Sequence, residues 1–163
     1  MDSHPAVTAA IDALADADKD LTPVTAIIRD EIVASVIDGA MGRWIVFALP
    51  CGRDWVVTGT TYGAPRPAGP RADRTPNYLP LQRMGTRFRQ DDTGSDGWYA
   101  VTGLAALDAV SVAVASELEE SVVPIGEHGL AFTVVRASST EDPIVYVHTS
   151  DGRRVSASLP QAG

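Results

Sequence analysis

Cys51 is the residue whose type and neighbours best suit nucleophilic catalysis, because it is the only cysteine and stands in a glycine turn beside Arg53. A neighbouring guanidinium can lower the pKa of a thiol, and backbone N–H groups at such a turn can hold an anion. A cysteine enzyme also needs a histidine base, yet nothing in the spacing links His4, His128 or His148 to this cysteine. We keep Cys51 and Arg53 as an alternative reactive site, for a small enzyme or small-molecule-binding protein, and assign no catalytic residue.

Metal and cofactor motifs are missing from the chain. Zinc accepts nitrogen and sulfur ligands, but the sequence contains no CxxC, HxH or HExxH pattern. The run 91–97 has the acids of a calcium loop, but the twelfth position counted from Asp92 is Gly103 where glutamate is required. Phosphate-binding glycine motifs and the GxSxG elbow are also absent. We therefore expect no metal and no cofactor, and these absences lower the case for an enzyme.

Two acidic clusters could in principle divide acid and base roles between paired carboxylates. One comprises Glu117, Glu119 and Glu120, and the other is the pair Glu141 and Asp142. Both lie among serines and threonines with no apolar segment to form a pocket. The sequence predicts solvated edges that discourage strand-to-strand aggregation.

Charge is sorted along the chain into three blocks. Residues 1–42 carry eight acidic and two basic side chains, and residues 91–163 carry eleven acidic and three basic ones. Residues 43–90 carry eight arginines and two acids, although the whole chain has a net charge of −8. A single basic block in an acidic chain suggests a contact site, either for the chain's own acidic flanks or for an anionic partner.

Six of these arginines lie in residues 63–90, a segment with five prolines that is too broken for a regular element and longer than most loops. Its arginines and aromatics define the predicted partner-binding residues: Arg66, Arg71, Arg74, Tyr78, Arg83, Arg87, Phe88 and Arg89. Three roles stay open. The segment could be a solvated loop whose arginines reflect genomic composition, a surface for protein contact, or a nucleic-acid site in which aromatics stack on bases. The net charge opposes the last of these.

Length and composition indicate an ordinary globular chain. Its 163 residues can bury a genuine core, and 45% apolar with 21% charged residues is typical of such proteins. We find no apolar run long enough for a membrane span, and no signal peptide at the N-terminus. One cysteine permits no internal disulfide. We expect a cytoplasmic protein that contacts no membrane.

Hydrophobic periodicity divides the chain near residue 42. Pro5 suits a first helical turn, and Val7, Ala10, Ile11 and Leu14 have helical spacing. Thr22 and Pro23 repeat the start signal, so we predict a second helix there, whereas 32–37 suits either helix or strand. Period-two patterns follow in segments 44–49, 55–62, 98–101, 130–136, 144–148 and 155–159, while 104–118 suits helix or strand.

The order of turn and core residues in the C-terminal two-thirds resembles a β-sandwich pattern that recurs in proteins of high-GC Gram-positive bacteria. The residues that carry the resemblance are Trp44, Cys51, Val110, Val112, Gly129, Phe132, Val134, Asp151, Gly152 and Arg153. The resemblance implies a fold and a bacterial source, and no activity.

Together these patterns predict an α+β protein that is mainly β. A helical hairpin in residues 1–42 precedes an antiparallel sandwich-like domain in residues 43–163, with a Pro/Arg-rich excursion at residues 63–90. We expect a non-enzymatic interaction or regulatory module that binds another protein or itself as a homodimer. The first helix is a candidate dimer face, because a small helical hairpin must bury its apolar stripe.

Overall fold

The computed structural model describes residues 4–29, 32–62, 81–90 and 94–157. Within these residues the chain forms one α-helix and eleven strands, arranged in three antiparallel sheets. The predicted predominance of antiparallel β-structure is therefore confirmed. The chain divides into two compact units, Met1–Arg66 and Pro67–Gly163.

The first unit is a four-stranded meander with a helix on one face. Helix α1 spans Pro5–Leu14, and the strands are β1 (Thr22–Arg29), β2 (Ile32–Asp38), β3 (Arg43–Cys51) and β4 (Asp54–Tyr62). They form sheet I in the order β1-β2-β3-β4. Each strand pairs with its neighbour in sequence, which is the topology that short connections favour.

Helix α1 forms because the residues at its N-terminus and the spacing of its apolar residues both favour a helix. Pro5 occupies the first turn, and His4 Nδ1 accepts a hydrogen bond of 3.1 Å from the backbone N–H of Ala6. The buried residues of the helix are Ala6, Val7, Ala10 and Leu14. Leu14 packs with Ile37 and Trp44 of sheet I. The stripe is thus buried against the unit's own sheet, which removes the reason for which we expected it to form a dimer face.

The predicted second helix is also wrong, because residues 22–29 form strand β1. Val24, Thr25, Ile27 and Ile28 are β-branched, which stiffens their side chains and favours strands over helices. Pro23 is tolerated because β1 is the edge strand of sheet I. Residues 32–37, for which the sequence allowed either a helix or a strand, belong to strand β2. The predicted helical hairpin is therefore one helix followed by a strand hairpin.

In the described part of the second unit, seven strands form two sheets. Strands β5 (Leu81–Gln90), β6 (Asp96–Ala105) and β9 (Leu130–Ser138) form sheet II in the order β5-β6-β9. Strands β7 (Ala109–Ala115), β8 (Glu120–Pro124), β10 (Ile144–Thr149) and β11 (Arg154–Ser156) form sheet III in the order β11-β10-β7-β8. A short 3-10 turn, Glu127–Gly129, precedes β9.

Sheets II and III share one apolar cluster and therefore lie on each other as two layers. Val101 and Val135 come from sheet II, and Val112 and Val145 from sheet III, and each is at most 1% exposed. Polar contacts also join the layers, since the Ser121 and Thr133 hydroxyls are 2.8 Å apart. Burial of the valines is the main favourable contribution to this packing.

Two further expectations are corrected in the second unit. The excursion predicted for 63–90 is wrong over its last ten residues, because Leu81–Gln90 is strand β5. In the stretch 104–118 the strand alternative is right: β6 ends at Ala105, a turn follows, and β7 begins at Ala109.

Candidate functional site

The predicted partner-binding residues divide into those on strand β5 and those before it. Arg66, Arg71, Arg74 and Tyr78 lie outside the residues that the structure describes. Arg83, Arg87, Phe88 and Arg89 lie on β5, and Phe88 and Arg89 are half-buried. The structure thus brings half of the predicted set onto a single strand.

Strand β5 is the edge strand of sheet II within the described residues, since its neighbour on one side is β6. Arg87 is in register with Ala100, and Arg89 with Trp98. An edge strand presents unpaired backbone N–H and C=O groups to a partner. Basic residues on such an edge combine strand pairing with attraction to acidic groups.

The surroundings of β5 are aromatic and contain one perturbed group. Burial raises the pKa of the Tyr99 hydroxyl, a hydrogen bond with Thr86 of β5 lowers it, and the charge of Asp142 raises it further, so the net shift is upward. Trp98 lies beneath Arg136, whose guanidinium carbon is 5.0 Å from the ring centroid. Such a cation–π contact holds the guanidinium in a fixed position on the sheet.

Cys51 and Arg53 lie at the tip of the β3–β4 hairpin. Cys51 is opposite Asp54, and Gly52 occupies the turn with φ of 62°, a conformation that glycine adopts readily. Cys51, Gly52, Arg53 and Asp54 are all exposed. An exposed hairpin tip does not exclude water from a nucleophile, so the geometry adds no support to a reactive site there.

The remaining sequence candidates for metal binding are dispersed. His128 occupies the 3-10 turn with φ of 57°, and His148 lies on β10 with its ring 5.3 Å from that of Tyr146. Among the described residues, no three His, Cys, Asp or Glu side chains come close enough together to hold a metal ion.

The acidic clusters are only in part the solvated edges that the sequence suggested, because Glu117, Glu120 and Asp142 are exposed whereas Glu119 and Glu141 are half-buried. Glu119 Oε1 accepts a hydrogen bond of 2.6 Å from the Arg136 backbone N–H. The two oxygens of Glu141 accept bonds of 2.9 Å from the backbone N–H groups of Ser138 and Glu117. These carboxylates satisfy backbone donors where strands end, which is a structural role.

Asp18 is a buried carboxylate with several hydrogen-bond donors that sequence reasoning missed. It is 7% exposed and accepts bonds from Trp44 Nε1 at 2.9 Å, from Lys19 N at 2.7 Å and from Met41 N at 3.1 Å. Burial alone would raise the pKa of this carboxyl, but the bonds from Trp44, Lys19, Met41 and Ala40 outweigh burial and hold the pKa below its ordinary value.

Gly39 makes room for this carboxylate. A Cβ added at Gly39 would lie 2.6 Å from Asp18 Cγ, well inside van der Waals contact. A surface depression of about 310 Å³ borders the carboxylate, lined by residues 15–19 with Ala40 and Met41. Because the carboxylate oxygens already accept several N–H groups, we interpret Asp18 as a latch between the α1–β1 loop and the β2–β3 turn. No local sequence signal marks it, since most of its donors are more than twenty residues away.

Comparisons with known proteins yield no relative: no protein family, curated protein or solved structure gives a significant match to this chain. In the part of the chain that the structure describes, no helix has the length and apolarity needed to cross a membrane.

Proposed function

We propose that this chain is a cytoplasmic, non-enzymatic interaction module that binds an acidic protein partner along strand β5. The observation that carries the proposal is the position of β5, which among the described residues is an outer strand of sheet II, together with its three arginines. The partner would add main-chain contacts at the free edge, and its acidic side chains would meet Arg83, Arg87 and Arg89.

The distribution of the remaining basic residues supports this choice of strand. Arg43, from the same basic block, is 9% exposed and pairs with Asp38 through bonds of 2.8 and 3.1 Å. Arg153 pairs with Asp151 at 2.7 Å in the β10–β11 turn. The Arg43 pair is largely buried and serves the fold, whereas the Arg153 pair is exposed and contributes little to stability. An acidic partner is favoured over nucleic acid because the net charge of −8 repels a polyanion from most of the molecule.

The test is affinity capture from the native lysate with the wild type and a triple variant, Arg83→Ser, Arg87→Ser and Arg89→Ser. A matched control removes three cations elsewhere, with Lys19→Ser, Arg53→Ser and Arg153→Ser, all at exposed positions. We expect one stoichiometric protein to bind the wild type and the control and to be lost with the β5 variant. Circular dichroism checks that all three proteins are folded.

Capture that is equal for the wild type and the β5 variant would contradict the proposal. So would a bound species removed by nuclease, whose affinity falls steeply with salt, because this is the behaviour of a nucleic-acid site. Cys51→Ser serves as a further arm, since an interaction module tolerates this change and a site that uses the thiol does not.

A further inference from the structure

Sheet III has a second face, directed away from the core it shares with sheet II. Val112, Val114, Val145 and Val147 belong to that core, so the residues that alternate with them project from the opposite side. Cross-strand pairing places Val122 opposite Ala113, and Ala113 opposite Tyr146. We call this surface the outer face of sheet III and define it by Ala113, Glu120, Val122, Ile144, Tyr146 and Arg154.

The centre of the outer face is apolar. Ala113 and Tyr146 form a buried floor, with exposures of 0% and 3%. Val122 and Ile144 flank this floor and are 53% and 56% exposed. Two large aliphatic side chains exposed around an apolar floor are typical of a contact surface, because burying them against a partner removes apolar surface from water and is favourable.

Arg154 is held in place on this face. Its guanidinium carbon is 3.6 Å from the centroid of the Tyr146 ring, the distance of a close cation–π stack. His148 meets the same ring edge-on, with centroids 5.3 Å apart. A stacked guanidinium keeps its N–H groups available around its rim, so it can bind a carboxylate with little further loss of side-chain entropy.

Opposite charges occupy diagonal corners of the face. Glu120 is on the outer strand β8 and is in cross-strand register with Ala115, which pairs with Ile144. Arg154 is on the outer strand β11 and pairs with His148. Four residues along the strands correspond to about 13 Å, and three strand spacings to about 14 Å, so the diagonal runs at about 45° to the strands. A two-fold axis in the interface plane, perpendicular to this diagonal, brings each Glu120 over the Arg154 of a second copy.

We propose that the outer face of sheet III is a self-association surface that binds a second copy of this chain. This two-fold rotation places the apolar centres of the two copies against each other. The strands of the two copies then cross at about 90°, one of the two favoured angles for packed sheets. Charge complementarity selects the second copy, because one patch contains both the acid and the base that a two-fold interface requires. The inference does not rest on the proposed function, which concerns sheet II.

The test is sedimentation velocity of the full chain over a wide range of micromolar concentrations. We expect a concentration-dependent dimer in the wild type and an association constant at least about tenfold lower in Val122→Gln, because each change counts twice in a symmetric interface. Val56→Gln is the matched control, because Val56 is 44% exposed and lies on strand β4 of sheet I, outside the outer face of sheet III.

Charge reversal tests the symmetry itself. Glu120→Arg and Arg154→Glu should each weaken the dimer, and the double variant should recover much of the association, because every copy again presents an acid to a base. A wild type that remains monomeric at all concentrations would overturn the proposal and leave the face to solvent or another protein. Equal weakening by Val56→Gln and Val122→Gln, or no recovery in the double variant, would overturn it as well.

Discussion

Replacing Leu14 by alanine tests whether α1 is anchored to sheet I as the structure shows. The Leu14 side chain is fully buried and packs with Ile37, Trp44 and Val46. The change removes three buried carbons, worth about 2.5 kcal/mol at about 0.8 kcal/mol each. The cavity left beneath the helix adds to this, so we expect a loss of about 3–4 kcal/mol in the free energy of unfolding.

The assay is urea denaturation followed by far-UV circular dichroism and by tryptophan fluorescence, since Trp44 lines the same cluster. Leu107→Ala is the matched control, because Leu107 is 52% exposed and its truncation leaves no enclosed cavity. We expect the control to lose about 1 kcal/mol or less. A loss below about 1 kcal/mol for Leu14→Ala, or equal losses in the two variants, would refute the packing of α1 on sheet I.

Three further predictions concern the Asp18 latch and the core beside β5. Gly39→Ala should cost about 1–3 kcal/mol in urea denaturation, because the new methyl group displaces the carboxylate, whereas Gly94→Ala should cost little, since nothing lies within 4 Å of its added Cβ. Because the folded-state pKa of Asp18 is lowered, its stabilising contribution is present above the unfolded-state pKa and is lost as pH falls through the folded-state pKa. The wild type should therefore lose more free energy of unfolding than Asp18→Asn between pH about 7 and about 3. Parallel plots of unfolding free energy against pH for the two proteins would contradict this. In an alkaline absorbance titration Tyr99 should ionise above its ordinary pKa. Thr86→Val should raise the pKa of Tyr99 further, because it removes a hydrogen bond that lowers this pKa. The same Tyr99 pKa in the wild type and the variant would count against that bond.

Local patterns predicted the elements whose partners are close in sequence. The alternation of 44–49 and 55–62 identifies the β3–β4 hairpin, whose turn the structure shortens to Gly52 and Arg53. The apolar stripe of α1 was likewise visible, and its core positions are buried. In both cases the period of the side chains and the backbone requirement of the turn act within a few residues.

Residues 22–29 show where local signals fail. A threonine and a proline start both helices and edge strands, and the spacing of Val24, Ile27 and Ile28 suits a helix. The outcome depends on β2, which pairs with the whole length of β1 and supplies a ladder that an isolated segment cannot form. The candidate site shows the same limit, because the sequence marked the arginines but gave no sign that Arg83, Arg87 and Arg89 lie on an edge strand.

The sequence by itself determined the antiparallel β-rich composition, the first helix and the segregation of arginines into one block, because each follows from side-chain periodicity or from charge counted along the chain. Only the tertiary structure decided that Asp18 accepts a hydrogen bond from Trp44 and lies against Gly39. It also decided that Glu120 and Arg154 occupy opposite corners of one face. Those arrangements depend on register between strands distant in sequence. A shift of one residue in strand register would turn the Trp44, Glu120 or Arg154 side chain to the other face of its sheet.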